Sequence, residues 1–386
     1  MRWQVIGHDP TRSPPDKPDE ITLFLCGDVM TARGIDQILP CPSDPILHEG
    51  FIEDARAYVE LAEQVSGPVP RLVDFAYVWG DALREWERRA PDVRIVNLET
   101  SITTSEDFEP KGINYRMHPE NVPCIKAAKI DCCALANNHV LDWGYPGLDE
   151  TLETLHRAGV KTAGAGRDLE QAEAPAILEA PGRGRVLTFS LGSWSSGIPP
   201  RWAASPTRPG IFFFDESSLE VAARVAARVQ AIRQERDVVV ASVHWGGNWG
   251  YEVQRRQIAL AHELVDLAGV DVVHGHSSHH PKAIEVYRGR PILYGCGDFL
   301  NDYEGITGHE EYRGDLVLMY FATVLATGAL VRLDMVPLRI RKLRLNRVES
   351  GDALWLARRL TGVSRMFGTS VELEEDLTLT LRWDGP

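Results

Sequence analysis

Short apolar runs that stop abruptly at a polar residue recur along this chain, and stretches with helical spacing separate them. Ile21 to Leu25 ends in Cys26-Gly27-Asp28, Val93 to Val96 in Asn97-Leu98-Glu99, and Ile130 to Leu135 in Ala136-Asn137-Asn138-His139. Asp237 to Ser242 opens into Val243-His244-Trp245, and Val270 to Val273 into His274-Gly275-His276-Ser277-Ser278-His279-His280. Such runs predict buried strands. Helical spacing predicts helices over Pro119 to Lys129, Leu148 to Ala158, Ser217 to Arg236 and Gln254 to Leu267, with another near Ala353 to Leu360. Asp36 to Ala90 is punctuated by P-C-P-S-D-P and S-G-P-V-P and reads as an insertion of two or more helices. Strands alternating with helices imply βαβ units and a mostly parallel inner sheet. A hairpin over residues 315 to 336 adds antiparallel strands, and V-E-L-E-E-D-L-T-L-T-L-R-W predicts one final strand. Ser193 to Pro209, rich in Trp, Pro and Ser, reads as a surface loop able to overhang a site. The expected organisation is an extended arm over residues 1 to 19, a main domain over 20 to 345 with the helical insertion 36 to 90, and a C-terminal helix and strand over 346 to 386 packed on it.

Composition narrows the partners. With 386 residues a large core can be buried, and the formal charge of −14 disfavours nucleic acid, whose phosphates need clustered Lys and Arg. The run R-I-R-K-L-R-L-N-R from Arg339 to Arg347 is the single basic candidate, and its alternation suits one face of a strand. The six cysteines form no C-x-x-C pair and read as small buried hydrophobes of a reducing compartment. The N-terminus lacks the charged start and apolar core of a secretory signal, so a cytoplasmic location is expected. Leu316 to Val331 is too short to span a bilayer, so no membrane partner is expected.

In open α/β sheets the ligand site lies beyond the carboxyl ends of the strands, where loops converge. Asp28, Glu99, Asn138, His139, His244 and the histidines of 274 to 280 all stand at such ends. Two carboxylates, an amide oxygen and several imidazoles form a mixed N/O donor set that suits one or two divalent ions of the Mn, Zn, Fe or Ni class. A pair of ions needs a bridging carboxylate, for which Glu99 or Asp28 could serve. Each residue also has a bland reading: Asp28 as a helix cap, Asn138 as a turn residue, His139 as a histidine pinned by Asp142, His244 as an interior histidine. Their coincidence at successive strand ends favours one shared site over several accidents.

Those residues carry a resemblance to a known family. Gly27-Asp28-Val29-Met30, Asn97-Leu98-Glu99, A-N-N-H-V-L-D-W-G-Y-P-G-L from Ala136 to Leu148, His244-Trp245-Gly246, G-H-S-S-H from Gly275 to His279 and P-I-L-Y-G-C-G-D-F from Pro291 to Phe299 occur in the family's order. The chain thus resembles the CapA family of poly-γ-glutamate capsule biosynthesis, a branch of the calcineurin-like metallophosphoesterases, over roughly residues 20 to 340. The resemblance implies an α/β fold, the calcineurin-like metallophosphatase four-layer α/β/β/α sandwich with mixed sheets. It implies metal ligation by Asp28, Glu99, Asn138, His244, His276 and His279, with His139 as general acid or base held by Asp142. The chain departs from the family pattern in three places: no D-x-H histidine follows Asp28, the usual H-P-H is Ser277-Ser278-His279, and the usual G-N-F is Gly297-Asp298-Phe299. The last adds Asp298 as a further acid/base group or ligand, and the second leaves the choice among His274, His276 and His279 open on the residues alone.

The expected function is a soluble metal-dependent enzyme acting on a peptide or polyglutamate-like substrate, by Cα epimerisation or by amide hydrolysis, both of which the resemblance permits. A metal-dependent phosphoesterase is the enzyme alternative, and a metal-dependent binding or scaffold protein the alternative from another class. Phosphoester chemistry needs cations around the phosphate, and only Arg33, Arg116 and Lys282 lie near the motifs. Trp143, Trp194, Trp202, Trp245 and Trp249 fall in or near the site loops and suit an organic substrate.

Overall fold

In the computed structural model, residues 19–218 and 220–384 are described. The expected arm, apart from Asp19, lies outside the described residues. The strands that position the candidate residues are β1 (Glu20–Val29), β2 (Val93–Leu98), β3 (Cys132–Ala134), β4 (Gly184–Ser193), β5 (Val238–His244), β6 (Val272–His276) and β7 (Asp298–Leu300). They belong to two mixed sheets. The first has 10 strands in the order Thr369–Leu373, Leu379–Trp383, Leu330–Ile340, Leu316–Leu325, β1, β2, β3 and Lys161–Ala163, with β7 paired to β1. The second has 7, with β4, β5, β6 and Arg290–Leu293 parallel and adjacent.

Side-chain alternation along the strands builds the layers. On β1, Leu23 and Leu25 turn toward the other sheet and meet the cluster that contains Val238, Val240 and Val272. Phe24 and Cys26 turn the opposite way, into a cluster with Trp79, Trp86, Ile125 and Leu155 from the flanking helices. On β5 the odd positions Val239, Ala241 and Val243 pack on Val225 and Leu264 of the helices Glu220–Ile232 and Arg255–Asp266. Three stacked cores between four layers make the α/β/β/α sandwich that the resemblance implied. Each fully buried Leu, Val or Phe in them contributes roughly 1.5–3 kcal/mol.

The C-terminal pattern differs from the single strand expected. Thr369–Leu373 and Leu379–Trp383 form an antiparallel hairpin on the first sheet, turned at Glu374 to Thr378, where Leu377 has φ 66°. The E-E-D run has no face to bury, so it takes the turn, and the Asp376 side chain accepts a hydrogen bond from the Thr378 amide at 3.0 Å. Ala176–Ala180, antiparallel to β4, was not predicted; its buried, exposed alternation puts Leu178 in the core. All six cysteines are free and five are buried, as expected of small hydrophobes. No helix among the described residues is long and apolar enough to cross a membrane.

The two sheets meet at their carboxyl ends. Asp28 pairs in register with Asn97 on one side and Asp298 on the other, and His244 pairs with His276. The join requires Gly27, because a Cβ there would sit 1.6 Å from the Gly297 carbonyl oxygen.

Candidate metal centre

Asp28 is fully buried, and its two oxygens accept hydrogen bonds from Asn97 Nδ2 at 2.7 Å and from the Ser277 amide at 3.1 Å. It belongs to two groups whose ligand atoms all lie within 4.8 Å of one another: Asp28, His244 and His276, and Asp28, His279 and Asp298. Glu99 stands beside the first group, its Oε1 3.8 Å from His244 Nε2 and 3.7 Å from His139 Nε2. Asn138 Oδ1 lies 2.8 Å from His244 Nε2. Burial, then Asp298, raises the pKa of Asp28 to about 7; burial, then Asp28, raises that of Glu99. Two facing carboxylates in the interior require a proton or a cation.

Hydrogen bonds fix the imidazole tautomers from the interior outward. The Cys26 carbonyl can only accept, so His274 Nε2, 2.6 Å away, donates to it. Burial holds His274 neutral, with its pKa lowered to about 4, so its Nδ1 accepts from Ser242 Oγ at 3.1 Å. Ser242 Oγ in turn accepts from His276 Nε2 at 2.8 Å. His276 Nδ1 is left with a lone pair, 3.8 Å from Asp28 Oδ1 and 2.7 Å from His244 Nδ1. With His244 Nε2 donating to the Asn138 amide oxygen, His244 Nδ1 presents a second lone pair against the first. Burial lowers the pKa of both histidines, so protons do not relieve the contact.

These features fit a divalent ion. Lone pairs converge on buried carboxylate oxygens, Glu99 Oε2 is buried with no hydrogen-bond partner, and the mixed N/O donors suit the first-row metals expected. Of the four clustered histidines, His276 and His279 face Asp28. Both nitrogens of His274 are engaged within the protein, and His280 packs among Tyr251, Tyr312 and Trp249.

Two histidine and carboxylate pairs flank the centre. His139 Nδ1 lies 2.6 Å from Asp142 Oδ2, its ring stacks on Tyr115 with centroids 3.9 Å apart, and its Nε2 turns toward Glu99. Burial, working against Asp142, lowers the His139 pKa to about 4, which leaves a neutral imidazole. In the second pair, His279 Nδ1 lies 2.8 Å from Asp298 Oδ1, and Asn301 Nδ2 donates to Asp298 Oδ2 at 2.7 Å. Burial opposes the charge of His279, yet Asp298 brings its pKa above the usual value.

Sequence reasoning missed Lys111. From the polar loop before Tyr115 its ammonium reaches Asp142 Oδ1 at 2.7 Å and donates to the Asn138 carbonyl. A lone Lys in a loop carries no spacing signal. Asn97 and Asn137 were missed as orienting groups: Asn137 Nδ2 donates to Asn97 Oδ1 at 3.1 Å, and its own oxygen accepts from the His139 amide at 3.1 Å. The three cations near the motifs are engaged elsewhere. Arg33 is buried against Asp302, Glu49 and Tyr58, Arg116 binds Glu106 and lies over Trp143, and Lys282 donates to the Glu252 carbonyl. Of the tryptophans, Trp143, Trp202 and Trp245 are buried in packing and Trp194 is exposed; Trp249 alone of the five is half-buried and lines the cavity beside Asp298.

Comparison with known proteins shows the family. Residues 22–303 match the family described as "Bacterial capsule synthesis protein PGA_cap". The chain is 48% identical over 362 residues to the "Probable polyglutamine synthesis accessory protein" of Mycobacterium tuberculosis, covering 93% of this chain and 95% of that protein. It is 25% identical over 304 residues to the "PGA biosynthesis protein CapA" of Bacillus subtilis, covering 78% and 73%. It is 27% identical over 232 residues to the "Capsule biosynthesis protein CapA" of Bacillus anthracis, covering 60% and 53%. On the family match and on the relative aligned over nearly its whole length, this chain belongs to the bacterial capsule synthesis protein family, PGA_cap or CapA.

Proposed function

We propose that this chain is a metal-dependent enzyme serving polyglutamate or capsule synthesis, which hydrolyses an amide bond of a polyglutamate-like peptide. The observation that carries this reading is His139: a buried neutral imidazole, held at Nδ1 by Asp142, with Nε2 turned toward a carboxylate and imidazole set suited to a divalent ion. Asp28, Glu99, Asn138, His244, His276 and His279 would hold one or two such ions, which would act as a Lewis acid toward the substrate carbonyl and lower the pKa of water. His139 Nε2 takes a proton from the attacking water and returns it to the leaving nitrogen, so that a C–O bond forms, the C–N bond breaks, and a carboxylate and an amine result. Asp142 accepts the Nδ1–H throughout and keeps Nε2 aimed, while Lys111 balances its charge. The relatives' names speak of polyglutamine synthesis and of PGA biosynthesis, which supports a glutamyl-polymer context for this reading.

Cα epimerisation is a second reading, favoured by Asp298, a further acid/base group beside Asp28 in addition to His139. Two bases are what removal and return of an α-proton on opposite faces require. Phosphoester hydrolysis is disfavoured by the engagement of Arg33, Arg116 and Lys282. The test is incubation of metal-loaded protein with glutamyl peptides in D₂O. New amines support hydrolysis; deuterium at Cα without cleavage supports epimerisation instead. Release of phosphate from an aryl phosphate, or no turnover by fully metallated protein, overturns both, and the latter favours a binding role.

A further inference from the structure

Next to Asp298 opens a cavity of about 540 Å³, within the roughly 300–1,000 Å³ usual for ligand clefts. Trp249, stacked on His309 with centroids 4.0 Å apart, contributes to its lining, and the exposed apolar side chains of Val65 and Ile306 add further apolar surface. The basic run singled out in the sequence supplies Arg339 and Arg341. Arg339 and Arg313 are spent on Asp315 and Asp352 in a neutral network of four charges. Arg341 is exposed and has no side-chain partner among the described residues. Opposing it in sign are Glu304, whose two oxygens accept from the Ser66 hydroxyl and from the Leu343 amide, both neutral donors that leave its charge in place, and the exposed Glu310, which accepts from the Gly308 amide at 3.0 Å.

This balance disfavours the interior of a polyanionic chain. An internal glutamyl residue brings one carboxylate and no positive charge, which suits Arg341 but is repelled by Glu304 and Glu310. The residue at the amino end brings an ammonium and a carboxylate together, with two methylenes that suit the apolar surfaces. We propose that the cavity is a subsite for the free amino-terminal residue of a glutamyl chain, its carboxylate on Arg341 and its ammonium on Glu304 and Glu310, so that the enzyme works from that end. The assignment rests on the proposed activity for the chemistry performed, but its recognition is measured by binding alone.

Titration calorimetry of metal-loaded protein with glutamate, N-acetylglutamate and glutarate tests it, since none of the three contains a glutamyl amide to cleave between residues. Glutamate is expected to bind about tenfold or more tighter than either analogue, the value of one charge-assisted hydrogen bond. Arg341→Ala and Glu310→Gln, both at exposed positions, should each weaken glutamate binding by a similar factor without changing metal content. Equal binding of N-acetylglutamate overturns the ammonium site. Glutamate binding that is absent, or indifferent to both substitutions, overturns the subsite, the latter placing glutamate on the metal. If the peptide incubation shows no turnover while glutamate binds as expected, the activity fails and the subsite stands.

Discussion

Replacing Asp28 by Asn removes one of two carboxylates that face each other in the interior, and the metal-free protein should become more stable for it at alkaline pH. Asp28 is fully buried, and its pKa rises from 3.8 to about 7, through burial first and Asp298 second. The native state therefore holds the proton more tightly than the unfolded chain. In metal-free protein this group's contribution to stability is fully present below about pH 4 and is lost as pH climbs to about 7. A shift of about 3 units at ~1.4 kcal/mol each makes the loss ~4 kcal/mol. Asparagine escapes that loss but offers a single acceptor to two donors, Asn97 Nδ2 and the Ser277 amide, and the unmet hydrogen bond costs about 1–3 kcal/mol. At pH 8 the metal-free Asp28→Asn protein should thus gain about 1–3 kcal/mol over wild type, and at pH 4 it should lose. Saturating metal offsets most or all of that gain, because an ion at a hundred times its Kd adds about 2.7 kcal/mol to a protein that binds it. Urea denaturation at pH 4 and 8, with chelator and with Mn²⁺, measures all four differences. An equal stability difference between wild type and variant at both pH values without metal, or equal stabilisation of the two by metal, refutes this role of Asp28.

His244→Ala and His276→Ala should each lose most of the bound metal in elemental analysis of folded protein, and full retention would mean that the ligands lie elsewhere. Ser242→Ala breaks the hydrogen-bond chain that sets the His276 tautomer, so metal affinity by titration should fall about 10–100-fold while the fold persists. Asp142→Asn should lower kcat by about 100-fold or more with metal content unchanged, since it frees the His139 ring from its fixed tautomer. In Gly27→Ala the new methyl would meet the Gly297 carbonyl oxygen at 1.6 Å, so backbone must move and stability should fall by at least about 3 kcal/mol in urea titration.

Much of this protein was legible in its sequence because local rules govern those parts. Apolar runs ending in a polar residue marked β1, β2, β3, β5 and β6, since a strand buried on both faces has to be continuously hydrophobic and its polar residues fall at or just past its end. That signal singled out Asp28, Glu99, His139 and His244, which the fold brings close together. The hairpin Leu316–Leu325 with Leu330–Ile340 followed from length and its Thr-Gly break. Tertiary structure alone decided the rest, because it depends on contacts between residues far apart in the chain. Which of four neighbouring histidines face Asp28 follows from the Cys26 carbonyl and Ser242, which belong to different strands and claim both nitrogens of His274. Lys111 reaches Asp142 only because the loop before Tyr115 folds back over His139. The cations Arg33, Arg116 and Lys282 looked available in one dimension and are engaged in three, since a buried charge draws its partners from wherever the fold brings them.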